Sequence, residues 1–106
     1  MTTVVNLRAV NEYDVYIGRA GRGELGTFGN PYKVGVTCER CGVVHGTGES
    51  TLPCFEAYLI ERVQTDPVFK ARLLALRGKV LGCFCKPKPC HGDVIVKWLS
   101  EQPVVP

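Results

Sequence analysis

The sequence lacks the segments that would send a protein into or across a membrane. No hydrophobic run among its 106 residues approaches the length of a transmembrane helix. Residues Met1 to Leu7 do not form the basic segment and apolar core of a secretory signal. We therefore expect a cytoplasmic protein with no membrane partner.

The sequence also lacks a block of like charge. Its 13 Lys and Arg residues are spread along the chain against 10 Asp and Glu, giving a formal net charge of +3. Surfaces that bind nucleic acid are usually strongly basic, so composition supports that partner weakly. Internal repeats and low-complexity tracts are absent too. We expect one domain over residues 1–106, with a frayed tail at 102–106.

Hydrophobic patterning predicts a small Rossmann-like layered α/β domain with the element order β-β-α-α-β-α. Thr51, with Pro53 in the first turn, is the expected N-cap of a helix ending near Gln64. Asp66, followed by a proline, is the expected N-cap of the next helix, which runs toward Gly78. The remaining predicted elements are strands Thr3–Leu7 and Tyr13–Ile17, a central strand Lys79–Cys85, and a last helix after Cys90.

A cysteine- and glycine-rich stretch, residues 36–53, interrupts this pattern and is interpreted as an inserted zinc-knuckle-like loop. Without an export signal, six cysteines in a reducing compartment favour metal binding or thiol chemistry over disulfides. Cys38, Cys41, His45 and Cys54 supply the thiols and imidazole that structural zinc prefers. A redox dithiol and a pair of free thiols are the alternatives. Cys54 is the least certain ligand, since a thiol at a helix start is also typical of a core residue.

A second group of reactive side chains begins at the end of the predicted last strand and continues into the helix start, at Cys83, Cys85, Cys90, His91 and Asp93. The start of a helix presents unpaired N–H groups, which attract anions and lower the pKa of a thiol. Cys90 is thus a candidate nucleophile, His91 a candidate base, and Asp93 either orients His91 or caps the helix. A metal site at this turn and simple burial of the thiols are the alternatives.

A glycine-rich loop, residues 18–35, contains Arg19 and the pair Asn30-Pro31. A guanidinium on such a loop suits phosphate or carboxylate recognition, because it can donate two parallel hydrogen bonds. The competing interpretation is a solvated connection in which Asn30 shapes the turn.

Several of these segments together resemble the domain-of-unknown-function family 4326 of bacteria, archaea and phages. The resemblance spans about Val4 to Leu99 and departs from the usual pattern at Thr37 to Pro53. It implies no reaction. The segments that carry it are Val15–Arg19, Gly29–Tyr32, Phe55 with Tyr58-Leu59, Gly78–Cys85, and Cys90-His91-Gly92-Asp93. The motif positions it indicates are Arg19, Asn30, Cys83, Cys85, Cys90, His91 and Asp93.

Two functions from different classes lead, and reversible thiol redox chemistry is a third possibility. The first is a nucleotide- or nucleic-acid-related ligand-binding domain that acts as a hydrolase or transferase. In it, Arg19, Asn30, Cys83 and Cys85 would meet a phosphorylated or nucleobase-containing ligand, and Cys90, His91 and Asp93 would carry the chemistry. The second is a non-enzymatic zinc module that docks a protein or nucleic acid.

Overall fold

The computed structural model describes residues 2–8, 12–18, 26–83 and 90–102. This part of the chain forms a mixed α/β domain with one parallel sheet of three strands and three α-helices. In chain order the elements are β1 (Thr3–Asn6), β2 (Val15–Tyr16), α1 (Leu52–Thr65), α2 (Pro67–Leu74), β3 (Val80–Cys83) and α3 (His91–Glu101). The predicted element order is confirmed. The Rossmann-like assignment and the status of residues 36–53 as an insertion stay predictions.

The sheet has the order β1-β3-β2, with β3 parallel to both neighbours. The prediction of a central last strand is therefore correct. Because all three strands run the same way, their carboxyl ends meet at one edge, near Asn6, Tyr16 and Cys83. The start of α3 belongs to this same edge, where His91 contacts the backbone just after β2.

Helices α1, α2 and α3 pack a buried apolar cluster against this sheet. The predicted stripe of α1 is buried at Phe55 and Leu59, and α2 buries Phe69 and Leu73. Leu81 of β3 is fully buried among them. The core thus follows the helical and strand periodicities of the sequence.

Thr51 and Asp66 both occupy the N-cap positions predicted for them, but only Asp66 caps its helix with its side chain. The Asp66 carboxylate accepts a hydrogen bond from the Phe69 N–H at 3.0 Å, as an N-cap should. Thr51 makes no capping bond, because it ends a 3₁₀ turn (Glu49–Thr51) that leads straight into α1. Its hydroxyl donates instead to the Gly48 carbonyl at 2.6 Å.

Several elements are shorter than the sequence pattern predicts. Helix α2 stops at Leu74 and continues as a turn to Gly78, and β2 has only two residues. The predicted extension of the last strand to Cys85 and most of the tail, residues 103–106, lie outside the described residues. Among the described residues, no helix combines the length and hydropathy that crossing a bilayer requires.

Candidate metal centre

The candidate site begins with a tight turn at residues 38–42. Residues 35–45, which contain this turn, are called the knuckle. The Cys38 N–H donates to the Val43 carbonyl at 3.0 Å, and the Gly42 N–H donates to the Cys38 carbonyl at 2.9 Å. Thr37 and Val44 pair across the turn as an antiparallel bridge. Gly42 has a φ of 78°, a left-handed conformation that costs residues with a side chain free energy. The Cys-x-x-Cys-Gly pattern therefore folds as its glycine predicts.

This turn, His45 three residues beyond it, and the first turn of α1 bring four ligand-type side chains together. The ligand atoms of Cys38, Cys41, His45 and Cys54 all lie within 4.8 Å of one another. All four were predicted from the sequence, including Cys54. The arrangement is compatible with a metal ion such as zinc.

Three of the six separations between these atoms match those of a tetrahedral ion. Bonds of about 2.3 Å to sulfur and about 2.0–2.1 Å to nitrogen set two sulfurs about 3.8 Å apart, and a sulfur and a nitrogen about 3.5–3.6 Å apart, in a tetrahedron. The Cys38 and Cys54 sulfurs are 3.8 Å apart. The His45 Nε2 atom lies 3.6 Å from the sulfurs of both Cys41 and Cys54. A hydrogen bond between the Cys38 and Cys54 thiols alone would not explain why two sulfurs lie at the same distance from the His45 nitrogen.

A second layer of contacts fixes which nitrogen of His45 faces the sulfurs. The Ser50 hydroxyl donates its proton to the Thr47 carbonyl at 2.8 Å. The same hydroxyl lies 3.1 Å from His45 Nδ1 and must accept there, so Nδ1 carries the imidazole proton. Nε2 then directs its lone pair at the cluster, as ligating histidines do when their other nitrogen is held.

The thiols of the site differ in how readily they lose a proton. The backbone N–H of Cys41 lowers the pKa of the Cys38 thiol to about 6, although burial opposes this effect. Burial raises the pKa of the Cys54 thiol to about 11, and the nearby sulfurs add to the increase. Cys38 is therefore the thiolate that forms first, and a metal ion has to displace the Cys54 proton.

An ion pair also holds the knuckle against α1. Arg40 Nη2 lies 2.7 Å from the Glu61 carboxylate, and Arg40 Nε donates to the Tyr32 hydroxyl at 2.8 Å. Sequence reasoning missed this pair, and it missed the support of His45 by Ser50 and Thr47. The intervals between these residues follow no helical or strand period. No signal in the sequence indicated that they meet.

The second group of predicted residues lies at the carboxyl edge of the sheet. The Cys83 and Cys90 sulfurs are 3.1 Å apart, and the Cys90 sulfur is 3.6 Å from His91 Nδ1. The exposed fractions of Cys83, Cys90 and His91 are 0%, 1% and 5%. The structure thus gathers these three residues but covers them. A catalytic role for Cys90 and His91 stays a prediction, and it requires this edge to open.

Asp93 adopts the capping role that the sequence left open. Its carboxylate accepts from the Cys90 N–H at 3.0 Å, and the Cys90 sulfur accepts in turn from the Gly92 N–H at 3.4 Å. This reciprocal pair is a capping box that fixes the start of α3.

Asn30 shapes a turn and ties the preceding loop to the start of α1. Its carbonyl oxygen accepts from the Tyr32 N–H at 2.9 Å, and its amide donates to the Thr51 hydroxyl at 2.8 Å. The predicted ligand contacts Arg19 and Cys85 lie outside the described residues. The ligand-binding roles of Arg19, Asn30, Cys83 and Cys85 stay predictions.

Comparisons with known proteins assign the chain to a family, but they assign no activity to that family. The model of a family described as a domain of unknown function (DUF4326) matches residues 5–101. A relative from Enterobacteria phage T4, the uncharacterized 12.4 kDa protein in the nrdA-td intergenic region, is 40% identical over 92 residues. That alignment covers 83% of this chain and 72% of the relative. No solved structure matches the chain.

Proposed function

The chain belongs to the DUF4326 family, and from its geometry we propose that it acts as a non-enzymatic zinc-binding module. In this proposal Cys38, Cys41, His45 and Cys54 hold one structural zinc ion. The observation that carries it is the set of four ligand atoms within 4.8 Å of one another, three of whose separations match a zinc tetrahedron. Three sulfurs and one imidazole complete the four-coordinate shell, which leaves no position for a substrate.

The proposed zinc ion fixes a segment that otherwise has little to hold it. Residues 35–45 form a single antiparallel bridge and carry several exposed apolar side chains. Cys54 belongs to α1, so zinc would join the knuckle to the first turn of that helix. Metal binding to a weakly ordered segment contributes directly to its folding free energy.

The metal content of the purified protein tests this proposal. We expect about one zinc per chain by elemental analysis, because a closed site of this kind holds its ion tightly. Cobalt substitution should give the absorption of a tetrahedral ion with sulfur ligands. Cys41→Ser should lose most of the metal, whereas the matched variant Glu39→Gln, two residues away and exposed, should keep it. Retention of a full equivalent of zinc by Cys41→Ser would contradict the assignment.

We propose further that the module docks a protein rather than a nucleic acid. Four valines of the knuckle and its entry, Val34, Val36, Val43 and Val44, are between 48% and 62% exposed. Apolar side chains of this kind suit a protein surface, and the nearby Arg40 is already paired with Glu61. Gel-shift titration with duplex DNA and single-stranded RNA should show weak binding. Tight binding that weakens steeply with salt would instead favour a nucleic acid.

A second candidate function rests on the carboxyl edge of the sheet. Ligands of open α/β sheets bind outside the carboxyl ends of the strands, and α3 begins there with Cys90 and His91. On this hypothesis a phosphorylated or nucleobase-containing ligand binds at the edge, and a hydrolase or transferase reaction uses Cys90, His91 and Asp93.

Thermal-shift measurements with inorganic phosphate and nucleoside monophosphates test the second candidate. A rise in melting temperature that His91→Ala abolishes would support it, provided that the zinc content of the variant is unchanged. If no such ligand shifts the melting temperature of the zinc-loaded protein, the hypothesis fails while the zinc proposal stands.

A further inference from the structure

The Cys83 and Cys90 thiols form a pair that the proposed zinc site does not use. Cys83 ends β3 and Cys90 immediately precedes α3. Their sulfurs are 3.1 Å apart, closer than the 3.8 Å between Cys38 and Cys54. A disulfide bond is about 2.0 Å long, so the two sulfurs need to approach by roughly 1 Å to be joined.

The His91 ring lies beside this pair in a defined protonation state. Nε2 is 2.6 Å from the Ile17 carbonyl oxygen, which can only accept, so Nε2 carries a proton. In the neutral ring, Nδ1 then carries no proton, and it lies 3.6 Å from the Cys90 sulfur. The Phe55 ring packs edge-on against the imidazole at 5.3 Å between centroids and limits its rotation. His91 is therefore positioned to take the thiol proton of Cys90.

The start of α3 stabilises the thiolate that such a transfer produces. The Gly92 N–H donates to the Cys90 sulfur, and the first turn of a helix carries partial positive charge. Asp93 holds the Cys90 backbone in place through the capping box. The imidazolium formed at His91 would donate through both nitrogens, to Ile17 and to the sulfur.

We propose that Cys83 and Cys90 form a reactive dithiol that small hydroperoxides oxidise to a disulfide, with His91 as the base for Cys90. His91 Nδ1 takes the Cys90 proton, and the thiolate attacks one peroxide oxygen. The O–O bond breaks, a sulfenic acid forms on Cys90, and the departing hydroxide takes the proton back from His91 to form water.

The second step closes the bond between the two sulfurs. The Cys83 sulfur attacks the Cys90 sulfenic sulfur, the S–O bond breaks, and hydroxide leaves with the Cys83 proton as a second water. In total, two thiols and one hydrogen peroxide give one disulfide and two waters. The sulfurs lose two electrons and the peroxide gains them. A dithiol reductant reverses the oxidation by thiol–disulfide exchange.

Burial determines which oxidants can reach the pair. Exposed fractions of 0% for Cys83 and 1% for Cys90 leave no surface for a bulky disulfide to attack. Hydrogen peroxide is close to water in size and can enter with a small local opening. We therefore expect hydrogen peroxide to oxidise the pair at least tenfold faster than glutathione disulfide at equal concentration.

Treatment of the zinc-loaded protein with hydrogen peroxide tests the dithiol. Intact mass should fall by two hydrogens, and peptide mapping should find Cys83 linked to Cys90, with full reversal by dithiothreitol. Cys83→Ser should stop at a sulfenic acid on residue 90, which dimedone traps when the oxidised protein is unfolded in its presence, whereas Cys90→Ser should give no adduct at residue 83 after the same oxidation time. The different outcomes of these two variants assign the attacking sulfur.

A substitution at His91 tests its role as the base for Cys90. His91→Gln keeps a side-chain donor for the Ile17 carbonyl but removes the base, so oxidation should slow by at least tenfold while the melting temperature changes little. An unchanged oxidation rate would overturn that role. A disulfide that instead contains Cys85, or a second equivalent of zinc that Cys90→Ser removes, would overturn the dithiol. Each result is independent of the zinc content at Cys38, Cys41, His45 and Cys54.

Discussion

The knuckle thiols differ because their immediate surroundings differ. Cys38 lies in the knuckle turn, where a hydrogen bond from the backbone N–H of Cys41 lowers the pKa of its thiol to about 6. Cys54 lies on α1, where burial raises its pKa to about 11. The backbone around Cys38 thus favours its thiolate before any metal ion binds. The Cys54 thiol would lose its proton only on binding the proposed ion.

This difference predicts how zinc affinity depends on pH. At neutral pH, Cys38 of the metal-free site is ionised and Cys54 is protonated, so zinc has to release the Cys54 proton. As pH falls below about 6, Cys38 is protonated as well and one further proton must leave. The slope of the logarithm of the affinity against pH should therefore steepen by at least one below that pH. Competition with a chromophoric chelator, corrected for its own protonation, measures this slope, and a constant slope would contradict the assignment.

Gly42 tests the local geometry of the knuckle. Its φ of 78° is unfavourable for a residue with a Cβ, and no atom lies within 4 Å of the Cβ position. Gly42→Ala should therefore cost about 1 kcal/mol through backbone strain alone, which lowers zinc affinity roughly fivefold to tenfold. Gly46→Ala, which has equal space and no positive φ, should leave zinc affinity unchanged. Equal effects of the two substitutions would show that strain at Gly42 does not matter.

At the scale of elements, α3 depends on a close approach to the sheet. A Cβ built at Gly92 would lie 2.8 Å from Ile17 Cδ1 and 3.0 Å from both methyl carbons of Val4. These side chains belong to β1 and to the residue after β2, so the glycine sets how closely the first turn of α3 packs on two strands. The sulfur of Cys90 owes its place beside Cys83 to the same packing.

Substitution of Gly92 separates packing from helix propensity. Alanine is the better helix former, yet Gly92→Ala should destabilise the fold by about 1–3 kcal/mol because the core is overpacked. Gly48→Ala provides the matched control, since Gly48 has helical dihedrals and open space around its Cβ position. The control should change the free energy of unfolding by less than about 0.5 kcal/mol. Urea unfolding measures both values, and a stabilised Gly92→Ala variant would contradict the packing described for α3.

At the scale of the whole molecule, the knuckle and the sheet are held by different interactions. The core cluster, which includes Leu73, Leu81 and Ile95, is held by the burial of apolar side chains. The knuckle is held by the proposed zinc ion, the Arg40–Glu61 ion pair and a few backbone hydrogen bonds of its own. Exposed ion pairs contribute little, so zinc would supply most of the free energy that orders the knuckle.

Removal of zinc should therefore loosen one part of the molecule. After treatment with a strong chelator, amide hydrogen exchange should accelerate in residues 35–45 and in the first turn of α1. Protection in β3 and in the second half of α3 should persist, because Leu81, Ile95 and Leu99 stay buried. Loss of protection in β3 at the same chelator concentration would mean that zinc supports the whole fold.

Local sequence determined much of this architecture. The alternation and helical spacing of apolar residues predicted the order of elements and the buried stripes of α1 and α2. Asp66 predicted the start of α2, and the spacing of Cys38, Cys41 and Gly42 predicted the knuckle. These features depend on neighbours within a few residues, and the chemistry of such short intervals is readable from the chain alone.

Only the tertiary structure decided which distant groups meet. It placed the Cys54 sulfur beside Cys38, Cys41 and His45, held His45 through Ser50, and buried Cys90 and His91 at the carboxyl edge of the sheet. It also set the strand order β1-β3-β2. Each of these outcomes depends on how helices pack on the sheet, and packing depends on the summed burial of many side chains rather than on any short motif.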